Sequence, residues 1–269
     1  MTSKPGPAQE FRRLHHDGVL LLPNAWDAGS ARLIESLGAK AIATTSAGVA
    51  WSHGYADGDL LPVPLLMTTV SEIARVVRVP LSIDVESGYS DDPAAVFALV
   101  LQVIDAGGVG INIEDGTGAP DELCAKIEQA RRAATRRGVE IFVNARTDVY
   151  LRSLASPEGR VAETIRRAAL YQAAGADGIF APGVTDRAEI RSLASATRLP
   201  LNILARPNLP TATQLAELGV RRLSAGSWVA SAALGRVRSA VGGFLGDGAC
   251  EGLFENAFPY AEFNTLLTR

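Results

Sequence analysis

The polar residues of one short segment have the types and the spacing to do chemistry. Residues 81–86 read Leu-Ser-Ile-Asp-Val-Glu, so apolar and polar residues alternate. Because successive side chains of a strand point to opposite faces, Ser82, Asp84 and Glu86 share one face. Two carboxylates at the end of a buried strand repel each other and lose hydration, which costs roughly several kcal/mol unless a positive group compensates. The pattern therefore indicates a bound cation, an arginine or both.

The same alternation occurs twice more, at residues 109–115 and 141–148. Each of these segments also carries polar residues at the end of a predicted strand. If the three strands are parallel, these ends meet at one edge, and we expect one site there. The polar faces carry Asn112 and Glu114 in the second segment and Asn144, Arg146 and Asp148 in the third.

Carboxylates with oxygen-rich neighbours favour a hard cation, Mg²⁺ or Mn²⁺. Zinc is disfavoured, because the three histidines and two cysteines of the chain lie outside these strands. Arg146 is the only cation on the three polar faces, and its planar fork matches a carboxylate or a phosphate. The alternative is a structural ion-pair layer in which Arg146 pairs with Glu114 or Asp148, since such networks also cluster charge.

Strand and helix patterns alternate along the chain in eight units, which predicts a (β/α)8 barrel, for which about 250 residues is typical. A doubly wound open sheet is the alternative, but no G-x-G-x-x-G follows the first strand. In a barrel the site lies at the carboxyl ends of the strands, which adds Ser46 and Asn202 to the candidates. We predict strands at residues 19–23, 41–46, 81–86, 109–115, 141–148, 178–182, 201–205 and 222–226. We predict helices at 8–17, 28–37, 65–78, 93–106, 121–137, 158–174, 186–196, 211–218 and 227–242, and an irregular segment at 47–64.

No composition shift marks a second domain, so residues 1–269 are predicted to form one barrel domain. Residues 243–269 form a separate packing or oligomerisation segment, rich in aromatic residues. Exposed aromatic clusters usually mark contacts, so this tail packs either on another subunit or on its own barrel. The aromatic residues are Phe254, Phe258, Tyr260 and Phe263.

Composition narrows the class of protein. Of the 269 residues, 47% are apolar and 20% charged, which favours a folded core. The net charge of -3 gives no reason to expect nucleic acid or a membrane as partner. The chain shows no signal peptide and no stretch near the roughly 20 apolar residues of a membrane span. Two cysteines do not indicate a disulfide framework, and a cytoplasmic location is predicted.

Four motifs, in order and at characteristic spacing, resemble the isocitrate lyase/phosphoenolpyruvate mutase superfamily. The resemblance extends from about residue 8 to residue 242. Within the superfamily, this sequence is similar to carboxyvinyl-carboxyphosphonate phosphorylmutase-like or oxaloacetate decarboxylase-like members. The resemblance implies a (β/α)8 barrel, usually a tetramer that exchanges its last helix between paired subunits. It also implies Mg²⁺, a 2-oxo or 2-hydroxy acid substrate and an enolate-like species. The motifs are residues 45–49 with 54–57, residues 84–89, residues 113–115 and residues 144–148.

The resemblance also assigns roles to individual residues. It implies that Asp84 is the direct metal ligand and that Asp57, Glu86 and Glu114 hold the metal's water molecules. Arg146 is expected to grip the substrate carboxylate, with Asn202 as a further substrate contact. A small-residue turn after a strand is ordinary by itself, and Asp57 lies in a glycine-containing loop that normally faces solvent. Through the resemblance, the hydroxyl of Ser46 and the N–H groups of Ala47 and Gly48 are expected to cradle the developing oxyanion.

One departure from the superfamily changes the expected activity. Its lyases carry a Lys-Lys/Arg-Cys-Gly-His motif in a long gating loop after the fourth strand, but here that loop is only residues 116–121. We therefore expect a Mg²⁺-dependent lyase of oxaloacetate or a substituted malate and not an isocitrate lyase. Phosphonopyruvate-type P–C chemistry is one alternative. A protein that binds 2-oxo acids without turnover is another.

Overall fold

The computed structural model describes residues 5–268, so the first four residues and the last residue of the predicted domain lie outside the described part. These residues contain nine short strands, all pairing in parallel within one sheet. The strands are β1 (Leu20–Leu22), β2 (Asn24–Ala25), β3 (Ile42–Thr44), β4 (Leu81–Asp84), β5 (Gly110–Glu114), β6 (Phe142–Arg146), β7 (Gly178–Phe180), β8 (Leu201–Leu204) and β9 (Val220–Ser224).

The first barrel strand is divided in two by Pro23. β1 pairs with β9 and β2 pairs with β3, so the chain between them closes the sheet into a barrel. Proline has no N–H to donate, but its carbonyl accepts from Ala43 N at 3.1 Å, and the carbonyl of Leu22 accepts from Ala225 N at 3.1 Å. β1 and β2 therefore act as one strand of an eight-stranded barrel, and the predicted (β/α)8 fold is confirmed.

Helices surround the barrel, and capping groups define several of their ends. The Asp27 carboxylate accepts from Ser30 N at 2.6 Å and begins the second helix, and Gly138 ends the sixth with φ of 65°. The helices are α1 (Pro7–Leu14), α2 (Ala28–Ser36), α3 (Ser46–Ser52), α4 (Val63–Val76), α5 (Pro93–Asp105), α6 (Pro120–Arg137), α7 (Arg160–Ala174), α8 (Arg187–Ala196), α9 (Ala212–Glu217), α10 (Trp228–Asp247), α11 (Glu251–Phe254) and α12 (Tyr260–Leu267).

Two helices differ from the prediction. Helix α3 occupies the start of the segment 47–64 that was predicted to be irregular, so that prediction is wrong for residues 47–52. A mid-helix glycine disfavours this helix locally, and packing compensates, because a Cβ at Gly48 would lie 2.9 Å from Trp26 Cβ and 3.2 Å from Ala230 Cβ. Helix α10 continues to Asp247 and so overlaps the beginning of the predicted tail segment.

The amino-terminal end of the barrel is plugged by α1. Phe11 is fully buried there, and the His15 ring stacks on Phe142 with 3.9 Å between ring centroids. Nδ1 of His15 lies 2.8 Å from the carbonyl oxygen of Phe11, and burial lowers the pKa of His15 to about 3. The plug is therefore apolar and uncharged, and the opposite end of the barrel is the one left for a site.

A buried polar layer fills the barrel above the plug. Arg222 is fully buried and donates to Ser224 Oγ at 3.2 Å and to Asn112 Oδ1 at 3.1 Å. Asn144 Nδ2 donates to Asn112 Oδ1 at 2.8 Å, and Ser224 Oγ donates to Asn202 Oδ1 at 2.8 Å. This layer connects four strands and places one guanidinium inside the barrel.

The tail lies partly on its own barrel. Arg32 Nε in α2 donates to the carbonyl of Leu266 in α12 at 2.9 Å, and Phe263 packs beside Gly29. Other tail residues stay uncovered within this chain, since Phe254 is 74% exposed and Tyr260 is 84% exposed. In the described part of the chain, no helix combines the length and apolar character needed to span a membrane.

We predict that Gly110→Ala destabilises the protein through the plug. A Cβ at Gly110 would lie 2.5 Å from a ring carbon of Phe11 and 2.9 Å from Ser82 Oγ, so the plug must move. Overpacking of this kind costs about 1–3 kcal/mol, which thermal unfolding should report as a lower Tm. Gly242→Ala in α10 is the matched control, because nothing lies within 4 Å of a Cβ there. Equal Tm values for the two variants would contradict the plug.

Candidate active site

Three charged residues meet at the carboxyl ends of neighbouring strands. Asp84, Glu114 and Arg146 are the last residues of β4, β5 and β6, and Glu114 pairs in register with Arg146. The order of these strands in the sheet puts the three side chains beside one another. The structure thus brings together the residues that the three alternating segments indicated.

Arg146 is held between two carboxylates. Its Nη1 lies 2.6 Å from Glu114 Oε2, while Nε and Nη2 donate to the two oxygens of Asp148 at 2.7 and 3.0 Å. The ion-pair layer considered from the sequence therefore exists in this structure. A guanidinium has five N–H groups, however, and these contacts use three, so two remain for a substrate carboxylate.

Negative charge exceeds positive charge at this end of the barrel. Burial raises the pKa of Glu114 to about 8, although Arg146 lowers it, and the charge of Asp84 raises it further. Burial also raises the pKa of Asp84, which Arg146 opposes and the nearby Asp57 reinforces. A divalent cation would relieve this repulsion, so the donor set fits the predicted hard cation.

The carboxylates at this end of the barrel do not form a cage of direct metal ligands. Among residues 5–268, no three His, Cys, Asp or Glu side chains converge closely enough to coordinate one ion together. Mg²⁺ commonly keeps several waters and binds one or two carboxylates, so the predicted assignment of Asp84 as the direct ligand does not require such a cage.

Asp84 is positioned by backbone groups on both sides. Its Oδ2 accepts from Ser46 N and its Oδ1 from Glu86 N, each at 3.4 Å, and its own N–H donates to Thr44 Oγ1 at 2.8 Å. The buried Arg222 is a second cation near Asp84: burial lowers the pKa of Arg222 to about 9, and the charge of Asp84 raises it. Sequence reasoning did not identify Arg222, although its alternation with Ser224 in β9 placed both on the inner face.

Ser46, Ala47 and Gly48 form the first turn of α3. The first intrahelical bond runs from Val49 N to Thr45 O, so the N–H groups before it have no partner within the helix. The N–H of Ser46 points at Asp84, which places this turn beside the carboxylates. Packing also favours glycine at position 48, because a Cβ there would lie 2.8 Å from Thr45 Cγ2.

Glu86 occupies different surroundings from those expected, whereas Asp57 lies in an exposed loop as expected. Asp57 is exposed, but the next residue, Gly58, donates to Glu86, and the charge of Asp57 raises the pKa of both Asp84 and Glu86, so Asp57 lies near these carboxylates. Glu86 is only 4% exposed, and its carboxylate accepts from Gly58 N, Asp59 N and the Tyr89 hydroxyl at 2.9, 2.5 and 2.7 Å. These bonds tie Glu86 to a loop, a partnership that strand alternation does not reveal.

Asn202 lies deeper than the other predicted substrate contacts. Its side chain is fully buried, its Oδ1 accepts from Ser224 Oγ, and its Nδ2 donates to the carbonyl of Ile203 at 2.9 Å. The structure places it in the polar layer inside the barrel and not at the open mouth. Contact with substrate would require this layer to rearrange.

A second group of residues, to which the sequence analysis assigned no role, supports Arg146 indirectly through Asp148. Asp115 Oδ1 accepts from Asp148 N at 2.9 Å. Its Oδ2 accepts from Arg167 Nη1 at 2.8 Å and from the Tyr171 hydroxyl at 2.5 Å, both on α7. Asp115 therefore fixes the backbone at Asp148, which in turn holds Arg146. Only a known pairing of β5, β6 and α7 could have revealed it.

The connection after β5 is short, as the sequence indicated. Only residues 115–119 separate Glu114 from α6. Cys124 lies on α6, partly buried against the core, and burial raises the pKa of its thiol. A raised thiol pKa is the opposite of what an activated cysteine requires.

Comparison with known proteins identifies the family to which this chain belongs. A family model described as phosphoenolpyruvate phosphomutase matches residues 11–245. The chain is 41% identical over 230 residues to an uncharacterized protein of Mycobacterium tuberculosis H37Rv, covering 83% of this chain and 84% of that one. It is 30% identical over 248 residues to oxaloacetate decarboxylase of Paraburkholderia xenovorans LB400, covering 85% and 80%. A crystal structure of a Burkholderia cenocepacia J2315 protein, named provisionally a phosphonomutase, superposes with a TM-score of 0.84 at 41% identity, covering 88% and 99%.

We predict that the metal-free protein loses stability as pH rises from about 5 to about 8. Glu114 has its pKa raised from 4.5 to about 8 in the folded state, so the folded protein retains a proton that the unfolded chain has lost. The stabilising contribution is complete below the unfolded pKa and disappears through the folded pKa, with a slope of up to about 1.4 kcal/mol per pH unit.

Denaturant unfolding in excess chelator across this pH range measures the slope. Glu114→Gln should flatten it, whereas Glu72→Gln on the exposed surface of α4 should not. Added Mg²⁺ should also flatten it, because the cation stabilises the ionised carboxylate. A slope that Glu114→Gln leaves unchanged would contradict the role of Glu114.

Proposed function

Because the chain belongs to the phosphoenolpyruvate phosphomutase family, we propose that it is a Mg²⁺-dependent lyase that breaks a C–C bond next to a carboxylate. The proposed substrate is a small 2-oxo or 2-hydroxy dicarboxylic acid, with oxaloacetate decarboxylation or malate-type retro-aldol cleavage as the reaction. The observation that carries the proposal is the grouping of Asp84, Glu114 and Arg146 beside the first turn of α3.

Asp84 would bind the cation directly, and Glu114 and Asp57 would hold its water molecules. When bound, Mg²⁺, or Mn²⁺ in its place, supplies a Lewis acid that stabilises negative charge on substrate oxygens. The group of buried carboxylates supports this assignment, because burial first, and then the neighbouring carboxylates, raise the pKa values of Asp84 and Glu114 although Arg146 lowers them. Glu86 belongs to the same predicted set, but its carboxylate is already bonded to a loop.

Arg146 would bind one substrate carboxylate through the two N–H groups that Glu114 and Asp148 leave free. A bidentate grip orients the substrate as well as attracting it. Because Asp148 is itself fixed by Asp115, the guanidinium is preorganised and need not reorganise during the reaction. This rigidity supports a role in orienting the bond that breaks.

The first turn of α3 would stabilise the oxygen that becomes negative. When the C–C bond of oxaloacetate breaks, its electron pair passes into the 2-oxo group, CO₂ leaves, and an enolate forms that then takes a proton at C3. Fixed N–H donors favour this transition state over the ground state because the charge on oxygen grows as the bond breaks. The hydroxyl of Ser46 and the N–H groups of Ala47 and Gly48 are the proposed donors.

The short connection after β5 favours decarboxylation. Decarboxylation needs an electron sink more than a positioned acid, so the absence of a long loop at residues 115–119 harms it least. P–C bond chemistry on a phosphonopyruvate is the second candidate, favoured by the 41% identity to the Burkholderia protein named provisionally a phosphonomutase.

We also propose that the protein forms a homo-oligomer, a dimer or a tetramer, through α10 and the tail at residues 243–269. Apolar residues of α10 are exposed in the single chain, which is typical of an interface. Light scattering that gives the mass of one chain at micromolar concentration would contradict it. The exposed residues are Leu234, Val237, Val241, Phe244 and Leu245.

A Mg²⁺-dependent turnover screen of 2-oxo acids, malates and phosphonopyruvate tests the activity. We expect oxaloacetate or a substituted malate to be cleaved by the wild type. Asp84→Ala should abolish both Mg²⁺ binding and turnover while the protein stays folded, since its removal relieves carboxylate repulsion. Asp91→Ala, an exposed carboxylate before α5, is the matched control and should bind Mg²⁺ as the wild type does.

Turnover of phosphonopyruvate alone would replace the proposal with the second candidate. Mg²⁺-dependent binding of 2-oxo acids without turnover of any substrate would indicate a binding protein. Wild-type Mg²⁺ affinity in Asp84→Ala, measured by calorimetry, would show that the assigned ligand is wrong.

We predict that lysine cannot replace Arg146. Lysine keeps the charge but loses the two-pronged geometry, so Arg146→Lys should lower kcat by about 100-fold as well as raise KM. Arg152 also donates to Asp148, at 3.1 Å, but its side chain is half exposed, so Arg152→Lys is the control. If Arg146 is only scaffolding, Arg146→Lys should lower the Tm and leave kcat unchanged.

A further inference from the structure

The loop that carries Asp57 is fastened to the turn after β4 by reciprocal hydrogen bonds. The Glu86 carboxylate accepts from the backbone of Gly58 at 2.9 Å and of Asp59 at 2.5 Å. In return, Asp59 Oδ1 accepts from the backbone of Ser87 at 3.2 Å and of Tyr89 at 3.3 Å. The Tyr89 hydroxyl donates to Glu86 Oε1 at 2.7 Å. We call Asp59, Glu86 and Tyr89 the clamp.

The three clamp residues also have an unusual backbone conformation. Asp59, Glu86 and Tyr89 have φ values of 59°, 49° and 56°, a left-handed conformation that is uncommon outside glycine. They are three of the six non-glycine residues with positive φ among residues 5–268. Such conformations persist only where the surroundings hold them, and they concentrate at functional sites. The reciprocal bonds are the surroundings that hold these three.

The turn after β4, which carries Glu86 and Tyr89, is bonded to neighbouring elements of the barrel, whereas the loop that carries Asp59 is exposed. Lys126 of α6 donates to the carbonyl of Ser87 at 2.8 Å, and Glu114 N donates to the carbonyl of Glu86 at 2.9 Å. The loop at residues 54–60 is exposed throughout, and its neighbours His53 and Leu61 mark where it rejoins the core. The hydrogen bonds that the carboxylates of Glu86 and Asp59 accept therefore fix the position of the loop, and with it the position of Asp57.

We propose that the clamp positions Asp57 over the cation site, and that Asp59 and Tyr89 are positioning residues for it. This inference rests on the proposed function, because Asp57 needs a cation to act upon. The clamp uses three of the about four acceptor positions of the Glu86 carboxylate, so we assign Glu86 chiefly to holding the loop. The clamp lies after β4, the strand next to β5, which the short connection at residues 115–119 follows.

Two variants of Asp59 with the same charge separate the clamp from electrostatics. In Asp59→Asn the amide oxygen still accepts, and asparagine tolerates positive φ; in Asp59→Gly the backbone is relaxed and the acceptor is gone. We expect Asp59→Gly to weaken Mg²⁺ binding about 10-fold relative to Asp59→Asn in calorimetry, the size typical of lost supporting contacts at metal sites.

Hydrogen exchange gives a readout that is independent of metal and turnover. The N–H groups of Gly58 and Asp59 are held by Glu86, so they should exchange about 10-fold faster in metal-free Asp59→Gly than in Asp59→Asn. Tyr89→Phe removes only the hydroxyl donor to Glu86 and should speed the same two N–H groups. Tyr260→Phe, an exposed tail hydroxyl, should leave them unchanged.

The outcomes distinguish the clamp from the function on which it rests. Equal exchange and equal Mg²⁺ affinity in the two Asp59 variants would overturn the clamp while leaving the proposed lyase intact. Faster exchange without any Mg²⁺ binding by the wild type would establish the clamp as a structural feature and overturn both its positioning role and the lyase. If Asp59→Gly does not fold, Tyr89→Phe decides alone, because it changes no backbone group.

Discussion

Repulsion among buried carboxylates is the constraint on which this end of the barrel depends. Asp84 and Glu114 lie at adjacent strand ends, with their pKa values raised mainly by burial, and Arg146 already shares its charge with Asp148. Hydrophobic burial elsewhere in the barrel must outweigh the cost of these charges in the metal-free protein. The proposed cation and the carboxylate of the proposed substrate would reduce this repulsion, the first by neutralising Asp84 and Glu114 and the second by pairing with Arg146.

The barrel makes this concentration of charge possible by keeping its two ends different. At the amino-terminal end, Phe11 and Phe142 form an apolar plug with a neutral His15. Between plug and mouth, Arg222 places a buried positive charge near Asp84 and donates to the Ser224 hydroxyl and the Asn112 amide oxygen. The mouth therefore lies above an interior layer that contains one positive charge and neutral amide and hydroxyl groups, with an apolar plug below it.

The alternation of strand and helix units along the chain predicted the barrel. Apolar-polar alternation within the strands then predicted that Asp84, Glu114 and Arg146 lie together, because parallel strands align their carboxyl ends. It failed where the outcome depended on tertiary packing. Helix α3 forms because Gly48 fits against Ala230, which lies far away in the chain. Alternation gives the face of a residue and not its depth, so Asn202 was predicted at the mouth but lies in the buried layer. Glu86 binds a loop whose path the sequence does not specify.

The location of a bound cation is the most direct test of this account. Crystals grown with Mn²⁺ and oxalate, a planar dianion that mimics the enolate of pyruvate, would show the metal by anomalous scattering. We predict one peak within coordination distance of the Asp84 carboxylate, with oxalate between it and Arg146 and with Glu86 still bonded to Gly58 and Asp59. No peak at Asp84, with the bond between Arg146 and Glu114 unchanged, would mean that these charges form a structural ion-pair layer.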